Sequence, residues 1–242
     1  MTSAALAGTG VMQSAEEWDA RNRVLAEGMS GLISRFAGVD PPAGAQGIDV
    51  GCQAGALTDA MQAMTSFAWT GVDPSIQEAR TSGLGLDLLP AYADNLPFPD
   101  EQFHVALFAN VYEHVLPEKR AASLAEIRRV LRPGGHVVGQ IPNPYFPIES
   151  HSRLPFMGWL PLRAQKVYWR LSPVPWEHDF FVVTMKQLSA TAAGLGYRTI
   201  YSSNFNYPPE VIPQALRGAW TLMERPMRRV PWAWQFVLER VD

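Results

Sequence analysis

The sequence has little that would suit it to an oxidising compartment, a polyanion or a bilayer. Its 242 residues contain one cysteine, Cys52, so no internal disulfide can form. A single thiol fits a reducing cytosol. Excess positive charge is also missing: 20 Lys and Arg stand against 23 Asp and Glu, a net charge of −3. Phosphate backbones require a basic surface, so no nucleic-acid partner is expected. The one basic cluster, Arg217, Arg225, Arg228 and Arg229, reads as a solvated face. No stretch is apolar for the ~20 residues of a membrane span. The first residues lack the basic start and apolar run of a secretory leader. The expectation is a soluble, cytoplasmic protein with no membrane partner.

The hydrophobic content is 47%, enough for a sizeable core in one domain over residues 1–242. Residues 1–14 are small and polar and are expected to fray. Apolar residues recur at helical spacing over 15–36. A break at "PPAGAQ" precedes a short strand at 47–50, a helix from Ala56, and a second strand at 68–74. "IQEARTSG" reads as a short helix and "PAYAD" (90–94) as a third strand. "FHVALFAN" (103–110) is a continuous apolar run, as in a strand buried on both faces. A helix stopped by Pro-Gly-Gly, a strand at 136–143, a later helix and strand, and a closing strand at 234–241 complete the series. This alternation predicts an α/β, doubly wound, mostly parallel sheet with helices on both faces. Residues 144–179, rich in Pro and aromatics, are too long for an ordinary connection and read as a lid or substrate insertion.

Asp49, Asp73 and Asp94 close three successive predicted strands, where open α/β sheets bind ligands. Asp73 follows Asp49 by 24 residues, about the spacing at which a carboxylate can accept from a ribose diol. Gly51 and Gly55 permit a tight turn and close backbone approach. Gln53 stands between them where a close-packed glycine is expected. The turn lacks the G-x-G-x-x-G order, which argues against a nicotinamide dinucleotide. Cys52 reads as a small packing residue.

"DVGCQAG", "GVDPS", "YADNLPFPDEQFHVALFANVYEHV" and "EIRRVLRPGGHVVGQIPNP" resemble, in order and spacing, the class I S-adenosylmethionine-dependent methyltransferases. The likeness covers about residues 45–145 and resumes weakly at 176–200. It implies a Rossmann-like seven-stranded sheet and S-adenosyl-L-methionine as cofactor. Asp49 and the Gly51–Gly55 backbone, Gln53 included, would receive the methionine part and Asp73 the ribose. Asp94 would accept from the adenine amino group, with the Asn95–Leu96 backbone facing the ring. Asn110 would lie beside the methionyl group.

Transfer to a hydroxyl needs a base, which directs attention to the histidines. His151 lies two residues after Glu149; on an extended segment the pair would point to one side. These two, with His114 after the fourth strand, are the catalytic candidates. His178, Tyr145, Arg153, Trp159 and Trp176 are substrate-binding candidates. A divalent metal (Mg) across Glu149, His151 and His114 or His178 is possible in principle, and no metal site is assigned. "IESHSRLPFMGWLP" looks like a segment of glycan-associated bacterial O-methyltransferases, including those of methylated mannose polysaccharide assembly. That resemblance implies methylation of a carbohydrate hydroxyl, on a small-molecule or oligosaccharide substrate. The alternatives are a small-molecule or lipid-quinone methyltransferase, or a cofactor-binding protein without catalysis.

Overall fold

A computed structural model describes residues 15–174, 177–208, 218 and 230–241, with side chains from residue 20 onward. Residues 1–14, the basic cluster and Trp176 therefore lie outside the described residues. The order of elements is α1 (Ala15–Phe36), β1 (Gln46–Val50), α2 (Ala56–Met64), β2 (Ala68–Val72), β3 (Arg80–Thr81), β4 (Asp87–Leu89), β5 (Phe103–Ala109), α3 (Arg120–Val130), β6 (Leu131–Pro142), α4 (Leu162–Tyr168), α5 (Met185–Gly194), β7 (Tyr197–Phe205) and β8 (Ala233–Arg240). The sheet runs β3-β4-β2-β1-β5-β6-β8-β7. β4, β2, β1, β5 and β6 are parallel; β3 and β8 pair antiparallel to their neighbours, as does β7 on β8.

The continuous apolar reading of β5 has a direct structural cause. Val105 and Leu107 pack under α1 and α2 beside Met29, Ile33 and Met61. Ala106 and Phe108 face the other way, against Leu124 and Ile127 of α3 and Leu188 of α5. Successive side chains of a strand alternate, so a strand covered on both faces has no polar position to offer. α5 begins where Thr184 and Gln187 cap its first turn reciprocally, a pattern that satisfies two orphan donors.

Three expectations need correction. The sheet has eight strands, not seven, because Arg80–Thr81 pairs antiparallel with β4 as a two-residue edge. The helix read at "IQEARTSG" is therefore absent: Ser82 N–H donates to the Leu86 carbonyl at 2.9 Å, and this turn ties the segment to β4. The strand placed at 90–94 lies earlier, at Asp87–Leu89. Pro90, without an N–H, cannot continue that ladder, and residues 90–94 form a loop in which Tyr92 bridges Asn95.

The segment after β6 has structure of its own. Leu154, Met157 and Phe180 form a small buried cluster with Tyr168 and Trp169 against it. Gly158 lies so close to Pro144 that an added Cβ would stand 1.9 Å from its carbonyl oxygen. No helix among the described residues is long and apolar enough to cross a membrane.

Candidate functional site

The carboxyl end of β1 delivers Asp49 into the interior, 2% exposed. Burial pushes its carboxyl up to about 7, although Thr58 Oγ1 donates to it at 2.7 Å. The chain then turns. The Gly51 and Cys52 amides both donate to the Val72 carbonyl, at 2.7 and 3.0 Å. Gly51 has φ 86°, and a Cβ there would come within 2.4 Å of Val111, so only glycine fits without displacement. Gln53 also has positive φ, 51°. Its N–H donates to Asp73 Oδ2 at 2.9 Å, and its carbonyl accepts from Arg80 at 3.1 Å. The turn thus keeps a glycine-type backbone at 53 while exposing a glutamine side chain. Gly55, φ 87°, opens α2. Cys52 is buried against Ile76 and Leu88, and burial pushes its thiol well above the usual range.

A cavity of about 490 Å³ opens above this turn. Asp49, Gly51, Gln53 and Asn110 form one wall; His114, Ser150, His151 and Arg153 form the other. Asn110, at φ 57°, donates its N–H to the Gln140 carbonyl and receives the Gln140 amide on its side chain.

His151 is the best-supported side chain of the second wall. Its Nδ1 lies 2.7 Å from Glu149 Oε1. The Glu149 carboxylate, 2% exposed, also accepts from the His151 and Ser152 amides at 3.0 and 2.7 Å. Burial alone would raise the Glu149 carboxyl, but the hydrogen bonds and charge of His151 outweigh it and hold it at about 2. Glu149 and His151 do meet, but not by alternation along an extended strand. Residues 149–154 are a turn closed by Glu149 N–H to the Leu154 carbonyl, with the carboxylate folded back over its own backbone. The His151 ring stacks on Phe180, 4.8 Å between centroids.

His114 approaches from the loop after β5, its ring 5.0 Å from that of His151. Its Nδ1 is 3.1 Å from the Asp179 carbonyl and 3.3 Å from the Asp179 carboxylate. Burial disfavours its charge, yet Asp179 and Glu113 raise its pKa to about 9. Behind both rings lies Glu113, 2% exposed, its carboxyl raised by burial. Arg153, held at φ 61°, has its pKa lowered by burial and then by Arg21, which shares the cavity.

The remaining expected site residues do not line this cavity. Asp73, at the end of β2, is committed to Gln53 and to the Ser75 amide and hydroxyl. Asp94 pairs with Lys119 at 2.7 Å, and that bond lowers its pKa. Asn95 is exposed, while the Leu96 N–H donates to Glu126. Tyr145 and Trp159 are 43% and 64% exposed and contact each other outside the cavity. His178 turns to Gln165, 3.3 Å away, and stacks on Phe180. Glu113, Asp179, Arg21 and Ser150 belong to this site and were not among the expected residues.

The same fold recurs in known proteins. Residues 48–139 match the model of a family described as a methyltransferase domain. A phthiotriol/phenolphthiotriol dimycocerosates methyltransferase of Mycobacterium tuberculosis is 28% identical over 152 residues, 60% of this chain and 46% of that one. A ubiquinone/menaquinone biosynthesis C-methyltransferase of Desulfotalea psychrophila is 32% identical over 132 residues, 51% and 53% of the two chains. The chain spans about half the length of these curated relatives. Among solved structures, an S-adenosylmethionine-dependent methyltransferase from Mesorhizobium loti superposes with a TM-score of 0.59 at 17% identity, over 89% of this chain and 100% of the other. A putative sarcosine dimethylglycine methyltransferase from Galdieria sulphuraria gives 0.60 at 12% identity, over 91% and 86%; these two show the fold alone.

Residues 48–139 are thus similar to a methyltransferase domain, and the chain shares the fold of S-adenosylmethionine-dependent methyltransferases. The residues present fit that cofactor. Asp49 is a buried carboxylate that meets no cation among the described residues, and the Gly51 turn leaves room above the strand end for a ligand's chain. The cofactor's α-ammonium would supply the missing charge.

Proposed function

We propose that the protein methylates a hydroxyl oxygen, with His151 as general base and Glu149 as its partner. The observation that carries this reading is the 2.7 Å contact from His151 Nδ1 to a buried carboxylate, on a ring that lines the same cavity as Asp49 and Asn110. A carboxylate only accepts, so Nδ1 carries a proton, and in the neutral ring Nε2 is the nitrogen with the free lone pair. Asp49 and the Gly51 turn would hold S-adenosylmethionine, which would supply an electrophilic methyl group to the hydroxyl oxygen and leave as the neutral thioether. His151 Nε2 takes the hydroxyl proton, and Glu149 stabilises the resulting imidazolium. A base so placed contributes about 10²–10⁴-fold.

A carbohydrate is the acceptor this wall favours. Arg21 and Arg153 face the cavity, and an apolar ring would desolvate these two charges without hydrogen-bonding to them, which is costly. Aromatic stacking does not support the reading, since Tyr145 and Trp159 lie outside. A lipid or quinone acceptor is the second reading, favoured by the names of the curated relatives. Labelled cofactor with separate oligomannoside and quinone pools decides between them. Labelling of the quinone pool alone refutes the carbohydrate. With the acceptor in hand, His151→Ala should lower kcat by about 10²–10⁴ while S-adenosylhomocysteine binds as before; full turnover would refute the base.

A further inference from the structure

We propose that Glu113, His114 and His151 form a binding site for a divalent transition-metal ion of the zinc type. The three side chains bring one ligand atom each within 4.8 Å of one another, and His151 Nε2 lies 3.9 Å from Glu113 Oε1. Both rings are set for ligation in the same way. The Asp179 carbonyl can only accept, so His114 Nδ1 is the protonated nitrogen of that contact. Glu149 fixes His151 Nδ1 likewise. Each imidazole then offers Nε2, with a carboxylate-bearing residue behind it, which is the usual outer support of metal-bound histidine.

The second observation is independent of the rings. Glu113 is 2% exposed, and neither of its carboxylate oxygens accepts a hydrogen bond among the described residues. A buried carboxylate without donors is costly. A cation among these three groups removes that cost. Ligands about 2.0–2.2 Å from a tetrahedral ion stand about 3.4 Å apart, so the side chains need only close by about an ångström. Two imidazoles and one carboxylate with an open position suit zinc, cobalt or ferrous iron, and disfavour magnesium, which takes oxygen ligands.

The functional consequence rests on the reading of His151 as the base. An ion on Nε2 holds the lone pair that would accept the hydroxyl proton, so loading the site should suppress methyl transfer. The probes are Co²⁺, read by its visible d–d absorption, and Zn²⁺, read by calorimetry and by displacement of Co²⁺. The expectation is one ion per chain, no response to Mg²⁺, and at least about tenfold weaker Co²⁺ affinity in Glu113→Gln and Asp179→Asn. Should the Glu113 variant fail to fold, Asp179→Asn carries the test, since the Asp179 side chain is 59% exposed. His178→Ala should leave Co²⁺ binding unchanged. No d–d band, no heat with Zn²⁺, or binding indifferent to both carboxylate changes overturns the site. Stoichiometric binding with methyl transfer undiminished supports the site and refutes His151 as base.

Discussion

Replacing Asp49 by Asn should make the protein more stable and less able to bind its cofactor. Burial raises the Asp49 pKa from 3.8 to about 7. The folded state therefore binds more protons than the unfolded state between those values, and stability falls as pH rises through that window. A shift of about 3 units is worth on the order of 4 kcal/mol in full. Between about pH 5 and about pH 8 the share still to be lost is about 3 kcal/mol. Asn has no charge to bury and can still accept from Thr58. The Tm gap between Asp49→Asn and the parent should thus widen by about 6–12 °C over that range, at 2–4 °C per kcal/mol for a chain of this size. Above about pH 8 the gap should level off. Binding runs the other way: a charge-assisted bond to the ammonium is worth about 1.5–3 kcal/mol, so the variant should bind S-adenosylhomocysteine about 10–100-fold more weakly. In the parent, that binding should release a proton near neutral pH, seen as a dependence of the calorimetric heat on the buffer. Parallel Tm-versus-pH curves, or unchanged affinity in the variant, would refute the placing of this buried charge at the cofactor.

Glu149→Gln should lower both rate and stability, because an amide can serve only some of the four donors the carboxylate now satisfies. A kcat loss of about 10²–10⁴ with a Tm drop from about 1–3 kcal/mol is expected; a rate loss without a Tm change would separate the two roles. Gly51→Ala should weaken S-adenosylhomocysteine binding, since the new Cβ meets Val111 at 2.4 Å in a left-handed backbone. The strain alone costs about 1–2 kcal/mol, and unchanged affinity by calorimetry would show that the turn does not carry the ligand.

What the sequence makes legible follows from how local each feature is. Asp49, the Gly51 turn and Asn110 are set by strand ends, and strand ends are written in hydrophobic runs that one can read directly. Gln53 is consistent with the same logic, because the turn uses its N–H and its positive φ rather than its side chain. The edge strand at Arg80–Thr81 is not local. A two-residue strand carries no period, and it exists only because Leu88 lies opposite.

The second wall of the cavity was only half visible for a related reason. Glu149 and His151 are near neighbours in sequence, so any compact backbone brings them together; the turn reached the expected contact by an unexpected path. Glu113 and Asp179 meet them only through the tertiary fold, across dozens of residues with no shared period. The choice of His178 over Asp179 shows the limit most sharply. Residues 177–184 run without helix or strand, and adjacent side chains there diverge. His178 turns to Gln165 and Phe180, whereas Asp179 reaches His114. Composition favours the histidine as the functional residue of that pair. Direction decides for the aspartate, and direction is set by what the backbone packs against: Phe181 donates its N–H to the Glu113 carbonyl at 2.7 Å. That one backbone bond fastens the 177–184 segment beside the Glu113–His114 loop, so the residue next to the expected histidine supports the second imidazole of the site.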